Sequence, residues 1–351
     1  LPRSAEDPPP AARAAAGRSS VGVRAPAKVN LHLGVGPRRP DGYHPVITVL
    51  QAVSLYDEIV VTAGADPDAP GGNADIPDAG LAGTARVSVT VAGEGASAAG
   101  PGDVSSVPTG RDNLAVRAAL LLAARCGITD VDLGIRLVKG IPVAAGMAGG
   151  SADAAGTLVA CDALWGTELD RTELAALAAE LGSDVPFPLI GGTALGTGRG
   201  EQLSPVLGRG DYQWVFALAD GGLSTGGVYG EFDRLGGGQK RGVPTPADEV
   251  LAALRTGDPA QLGAALTNDL QAPALRMRPS LRRLLDAGTA FGALGAIVSG
   301  SGPTCAFLAA NAVAADSLAA SLAGGGLCRA VRRAHGPVGG ARVAEALPRA
   351  V

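Results

Sequence analysis

Apolar and polar positions alternate most clearly at Val131, Leu133, Ile135 and Leu137, the spacing of a strand with one buried face. The run ends in Lys139-Gly-Ile-Pro-Val-Ala-Ala-Gly-Met-Ala-Gly-Gly-Ser-Ala-Asp153, after which Leu158, Val159 and Leu164 recur at helical spacing. A strand, a loop of small residues and a helix are therefore predicted in that order, with Ser151 as the candidate helix cap. The same reading predicts strands over 21–33, 46–61, 87–91, 214–218 and 327–333, and a strand–turn–strand over 295–308. Helices are predicted over 112–126, 171–181, 246–256, 259–270, 280–287 and 312–322, with a glycine-rich hairpin over 191–201. Strands and helices mix without strict alternation, so the fold class is α+β.

Two domains follow from length and from a junction placed just after the hairpin: 21–205 and 206–351. Residues 1–20 are rich in Pro, Ala and charge, with no apolar core, and read as a disordered tail. From 63 to 110 the chain thins into Gly, Ala, Pro and Asp, and this stretch reads as surface insertions with no catalytic duty.

Composition narrows the function. A net charge of −4 argues against nucleic acid as the main partner, since phosphate backbones demand a basic face. No stretch reaches the roughly 18 apolar residues of a membrane span. Four cysteines (Cys126, Cys161, Cys305, Cys328) lack metal or redox spacing and sit in apolar segments, which fits reduced thiols and a cytoplasmic setting. Only Lys28, Lys139 and Lys240 are lysines among 29 basic residues; Lys28 and Lys139 lie at candidate motifs, where a compact ammonium can do what a guanidinium cannot, while Lys240 lies in a surface loop.

The glycine loop is the strongest candidate for chemistry. Small residues ahead of a helix let backbone N–H groups approach an anion, and the helix dipole adds about half a positive charge there. No Lys follows the glycines as a Walker loop requires, and Gly146, Gly149 and Gly150 miss the dinucleotide spacing. Four other segments add to it. In Pro26-Ala-Lys-Val-Asn30, strand alternation points Lys28 and Asn30 the same way, toward a ligand or simply toward water. In Gly182-Ser-Asp-Val-Pro-Phe187, Asp184 is either a helix cap or a general base. Ser299-Gly-Ser-Gly302 is either an ordinary tight turn or one that lets two backbones approach each other near the phosphate loop. Asp41-Gly-Tyr-His44 places a flat ring beside a donor and acceptor, in a chain that is only 3% aromatic, and such a pair can read a nucleobase.

In this order, and with Gly192-Thr-Ala-Leu195, Gly198-Arg-Gly-Glu201 and Asn268-Asp-Leu270, the motifs resemble the GHMP small-molecule kinases. The resemblance runs from about residue 21 to the last strand. It implies a two-domain α+β fold, with an N-terminal domain like the second domain of ribosomal protein S5 and a ferredoxin-like C-terminal domain. It also implies ATP and Mg2+, with no magnesium ligand assigned, and a chain that is a monomer or homodimer. Lys28 and Asp184 would be the catalytic pair. Pro142, Val143, Ala144, Ala145, Gly146, Met147, Ala148, Gly149, Gly150, Ser151 and Ala152 would wrap the ATP phosphates, with Asn113 and Lys139 near the adenine. Tyr43 and His44 would take a cytosine, and Asn30 and Thr225 would line the substrate pocket. The narrower resemblance is to members that phosphorylate the C2 hydroxyl of cytidine diphosphate methylerythritol, in isoprenoid precursor synthesis. Homoserine, mevalonate or galactose kinases of the same family, or a non-catalytic ligand-binding relative, are the alternatives. Ala148 and Ala152 depart from the family's Gly and Ser, so Ala148 must tolerate its backbone angle and Ala152 withholds a hydroxyl from the phosphates.

Overall fold

The structure, a computed structural model, describes residues 19–65, 74–75, 84–93, 104–239 and 242–344. Nearly all of the expected tail, Lys240 and much of the 63–110 stretch lie outside those residues. The first half runs β1 (Ser20–Val35), β2 (Val46–Ala63), β3 (Ala74–Asp75), β4 (Ala85–Gly93), α1 (Leu114–Cys126), β5 (Val131–Lys139) and α2 (Gly149–Trp165). It continues through α3 (Arg171–Leu181), α4 (Pro186–Ile190), β6 (Thr193–Thr197) and β7 (Gln202–Pro205). Next come β8 (Tyr212–Leu218), α5 (Thr225–Arg234), α6 (Asp248–Thr256), α7 (Pro259–Ala265), β9 (Thr267–Asn268) and α8 (Gln271–Met277). The chain closes with α9 (Ser280–Ala290), β10 (Gly295–Val298), β11 (Thr304–Ala309), α10 (Ala312–Gly324), β12 (Ala330–Gly336) and β13 (Arg342–Val343).

The first sheet follows the order β13-β1-β2-β5-β4-β3, with β6 and β7 continuing from β2 and β9 lying parallel to β1. Val131, Leu133, Ile135 and Leu137 of β5 are buried as their alternation requires, in one apolar core with residues of α1 and α2. Lys139 continues the same register and is therefore buried too. β4 is a full member of this sheet, parallel to β5, with Gly93 opposite Lys139.

Strands β10-β11-β8-β12 form the second sheet, antiparallel throughout. In chain order, β8 then β10-β11 then β12, with helices between, this is the split βαβ arrangement of a ferredoxin-like domain. The two sheets are not independent. Trp214 of β8 donates to Gln51 of β2 at 3.0 Å, and both sheets contribute to one buried apolar cluster.

Two expectations need correcting. The helix predicted over 259–270 stops at Ala265, because Thr267 and Asn268 pair with His32 and Leu33 of β1 and the chain restarts as α8. The 206–351 unit also gives β9 and β13 back to the first sheet, where both flank β1 and cover its otherwise open hydrogen bonds.

Candidate active site

The loop after β5 enters α2 through Ala148, whose φ of 62° and ψ of 35° are left-handed. Ala144 is left-handed too, at φ 54°. Each costs about 1 kcal/mol that glycine would not incur. Ala148 is the N-cap and has no side-chain cap bond, so the expected capping by Ser151 does not occur. Ser151 sits instead within the first turn. The N–H of Ala152 bonds to the Ala148 carbonyl at 2.9 Å, which leaves the N–H groups of Gly149, Gly150 and Ser151 as the free donors of a helix start. Ala152 is fully buried in the core.

The glycine turn between β10 and β11 meets this loop, as expected. A Cβ on Gly146 would lie 2.9 Å from the Ser299 carbonyl oxygen and 3.0 Å from that of Gly302. Asn268 holds the turn in place, donating to the carbonyls of Val298 at 2.8 Å and Gly300 at 2.7 Å. Gly300 in turn sits close to the working end of β1: a Cβ there would lie 3.3 Å from Asn30 Oδ1 and 3.5 Å from Lys28 Nζ.

Lys28 and Asn30 do point the same way, and Lys28 Nζ donates to Asn30 Oδ1 at 2.8 Å. Asn30 passes the chain on to Thr48 at 3.0 Å, which fixes its amide orientation. Asp184 is not a helix cap, since Val185 holds that position before α4. Its carboxylate lies 3.9 Å from Lys28 Nζ, with the lysine buried and Asp184 about half exposed at 49%. Lys28 is thus held by the fold while Asp184 faces open space.

Three cavities lie along this part of the molecule, two of them bordered by this pair. One of 310 Å³ is bounded by the glycine loop, Lys139, Asp153 and Ser106–Val107–Pro108. A second, of 130 Å³, holds Lys28, Asn30, Gly146, Asp184 and Thr225. The third, of 610 Å³, is lined by Tyr43, His44, Asp184, Arg199, Thr225 and Tyr229 among others. Gly146 borders the first and second, and Asp184 the second and third, so the cavities form a row with the lysine–aspartate pair in the middle. Residues 106–108 wall the loop cavity, so part of the stretch read as surface insertion borders the site.

Asn113 and Lys139 both stand at the loop cavity, Lys139 in its lining and Asn113 behind Pro108. Asn113 caps α1 by accepting from the Ala115 N–H at 2.8 Å, and it donates to the Pro108 carbonyl at 2.5 Å. It therefore shapes the wall of the loop cavity from behind. Lys139 is buried between Asp57 of β2 and Asp153 of α2, and Asp57 also accepts the Gly140 and Ile141 N–H groups at 2.9 Å. Burial pushes the Asp57 carboxyl up to about 8, the Asp153 charge adds to this, and the Lys139 ammonium opposes it. Burial would lower Lys139, but the two carboxylates outweigh it and raise the ammonium. This cluster pins the start of α2 to the sheet beneath the loop.

The large cavity joins both domains. Tyr43 is half exposed with the Arg199 guanidinium 4.6 Å above its ring, and His44 is buried beside it. Thr225, at the start of α5, exchanges a hydrogen bond with Ser301 at 3.0 Å. Tyr229 stands one turn further along α5, its phenol pushed up to about 12 by burial and by the charge of Asp184. Tyr229, Ser106–Pro108 and Asp57 were not read from the sequence, whereas Arg199 and Asp153 lay inside motifs quoted there without a role of their own. Asp57 and Asp153 carried a readable signal, because Asp57 shares a strand face with Ile59 and Val61 and so needed a buried partner. Ser106–Pro108 come from the segment before α1 and Tyr229 from α5, and neither carried such a signal.

Residues 113–192 match the N-terminal domain and 250–326 the C-terminal domain of the GHMP kinases. The chain belongs to the GHMP kinase family. It is 55% identical over 328 residues to 4-diphosphocytidyl-2-C-methyl-D-erythritol kinase of Thermobifida fusca (strain YX), covering 93% of this chain and 98% of that one. A protein of the same name from Streptomyces coelicolor is 52% identical, over 93% of this chain and all of its own. The crystal structure of a 4-(cytidine 5'-diphospho)-2C-methyl-D-erythritol kinase superposes with a TM-score of 0.67 at 32% identity, covering 91% and 100% of the two chains. A homoserine kinase from Cytophaga hutchinsonii shares the fold, with a TM-score of 0.64 at 16% identity over 94% and 99%. Among the described residues no helix is long and apolar enough to cross a membrane.

Proposed function

We propose that the protein transfers the γ-phosphoryl group of ATP to the C2 hydroxyl of 4-diphosphocytidyl-2-C-methyl-D-erythritol. The observation that carries this reading is the row of cavities with Lys28 and Asp184 at its centre. A phosphate donor fits one end and a nucleotide-tagged acceptor the other. In this reading the ATP phosphates lie against the N–H groups of Gly149, Gly150 and Ser151, where the dipole of α2 favours negative charge. Tyr43 and His44 take the cytosine, and Asn30 and Thr225 line the path of the polyol.

Asp184 accepts the proton of the tertiary hydroxyl as the hydroxyl oxygen bonds to the γ-phosphorus and the bond to the bridging oxygen breaks. Lys28 orients Asp184 and balances charge on the transferring group, fixed in turn by Asn30. Positioning and electrostatics supply most of the rate in such a transfer. Magnesium, when bound with ATP, neutralises charge on the phosphate oxygens. Asp153 Oδ1 is buried without a partner, but Lys139 closes that carboxylate off, so no side chain is assigned to the ion. The cysteines are all free thiols, Cys161 and Cys305 fully buried, which favours a reducing cytoplasm.

The test is an ATP-consumption assay with the cytidine compound, run beside homoserine, mevalonate and galactose. Turnover of the cytidine compound above the others is expected. Preference for another acceptor would overturn the substrate assignment, and no turnover of any would overturn the catalytic one.

A further inference from the structure

His44 and Asp233 meet across the two domains. His44 follows the Asp41–Tyr43 turn at the edge of the first sheet, and Asp233 lies in the last turn of α5. His44 Nε2 is 2.8 Å from Asp233 Oδ1, with the imidazole buried and the carboxylate one-third exposed. A carboxylate only accepts, so Nε2 carries the hydrogen and donates it. Tyr229, 4.9 Å from the imidazole between ring centres, and Phe232, edge-on at 5.9 Å, hold the ring plane. Among the described residues no hydrogen bond reaches Nδ1, and His44 lines the large cavity.

A neutral imidazole with its hydrogen on Nε2 leaves Nδ1 as an acceptor. Cytosine presents an amino group at C4, a donor, whereas uracil presents an oxygen there. We propose that Asp233 is a positioning residue that fixes His44 with Nδ1 as acceptor, so that the site selects a 4-amino pyrimidine over a 4-oxo one. This rests on the cytidine reading of the cavity given above. With uracil, the Nδ1 lone pair faces another lone pair and both groups stay unpaired, a mismatch that sites of this kind reject strongly. An imidazolium would do the reverse. Both of its nitrogens donate, and Nδ1–H would favour the uracil oxygen.

Two measurements decide it. The chain has three histidines, His32, His44 and His335, so 15N NMR of the labelled protein with His44→Gln as the assignment control reads the tautomer directly. Hydrogen on Nε2 and a bare Nδ1 are expected for His44, and a hydrogen on Nδ1 overturns the proposal. The second compares kcat/KM for the cytidine substrate and its uridine counterpart. A preference for cytidine of about 10² or more is expected in the wild type. Asp233→Ala should cut that preference by about tenfold, with the KM for ATP unmoved and part of the preference restored in Asp233→Glu. Equal use of both substrates by the wild type, or a proportional loss on both in Asp233→Ala, overturns it. Turnover of the cytidine substrate without preference defeats only this inference, whereas no turnover of either defeats the functional reading as well.

Discussion

Lys28 and Lys139 both lie close to the phosphate loop, both are buried, and both face aspartate, yet the two regions are built for different ends. Lys139 is enclosed by two carboxylates that are themselves almost wholly buried, and Asp57 takes two backbone N–H groups besides. Nothing there is left free to move, and the cluster ties β2, β5 and α2 together. Lys28 is held by Asn30 on one side and meets Asp184 at 3.9 Å on the other, where the carboxylate is half exposed. A loose pair at the mouth of a cavity can exchange partners with a substrate; a closed cluster cannot. The tighter ion pair is therefore the scaffold, and the weaker one is the candidate for chemistry.

That contrast can be broken in four ways. The largest effect is expected from Lys139→Met, which strands two buried carboxylates and should cost about 3–5 kcal/mol of folding stability. Urea unfolding measures it, and a loss below about 1 kcal/mol would mean the cluster is not the anchor described here. Asp184→Asn should leave the urea midpoint and ATP binding nearly unchanged while turnover falls on the order of 10²-fold or more. Unchanged turnover would remove Asp184 from the mechanism.

Third comes pH. The Asp57 carboxyl is raised, so the folded state keeps a proton that the unfolded chain releases near pH 4. Between about pH 4 and about pH 8 the native state binds more protons, and stability should fall as pH rises through that window. Asp153→Asn retains an oxygen for Lys139 but removes one charge, so its stability should decline less, by on the order of 1 kcal/mol across the window. Parallel pH profiles for the two proteins would show that the paired carboxylates do not share a proton. Least of all, Ala148→Gly relieves a left-handed alanine and should stabilise the fold by about 1 kcal/mol or less. A higher melting temperature is the expected reading, and a lower one would locate the strain elsewhere.

Much of the site was legible because its parts are local. Lys28 and Asn30 share a face by strand alternation, and the glycine loop opens a helix as its spacing requires. Local patterns misled where a tertiary partner intervened. Thr267 and Asn268 would continue a helix by propensity, but β1 offers them strand pairing, and Asn268 is then placed to hold the Ser299–Gly302 turn. Ser151 is a good cap by type, yet Ala148 takes the position because the loop turns left-handed three residues earlier. Residues 106–108 carry no chemical signal, and they matter only because Asn113 ties Pro108 against the loop.

The α+β class, most of the longer strands and helices, the glycine loop and the facing of Lys28 with Asn30 were thus determined by the sequence itself, through periodicities of two and 3.6 residues and the backbone freedom of glycine. The meeting of Lys28 with Asp184, the enclosure of Lys139 and the contact of His44 with Asp233 were decided only by the tertiary structure. Lys28 and Asp184, Asp57 and Lys139, and His44 and Asp233 stand 156, 82 and 189 residues apart in the chain, and no local pattern reports which strand faces and loop ends the packing of two sheets will bring together.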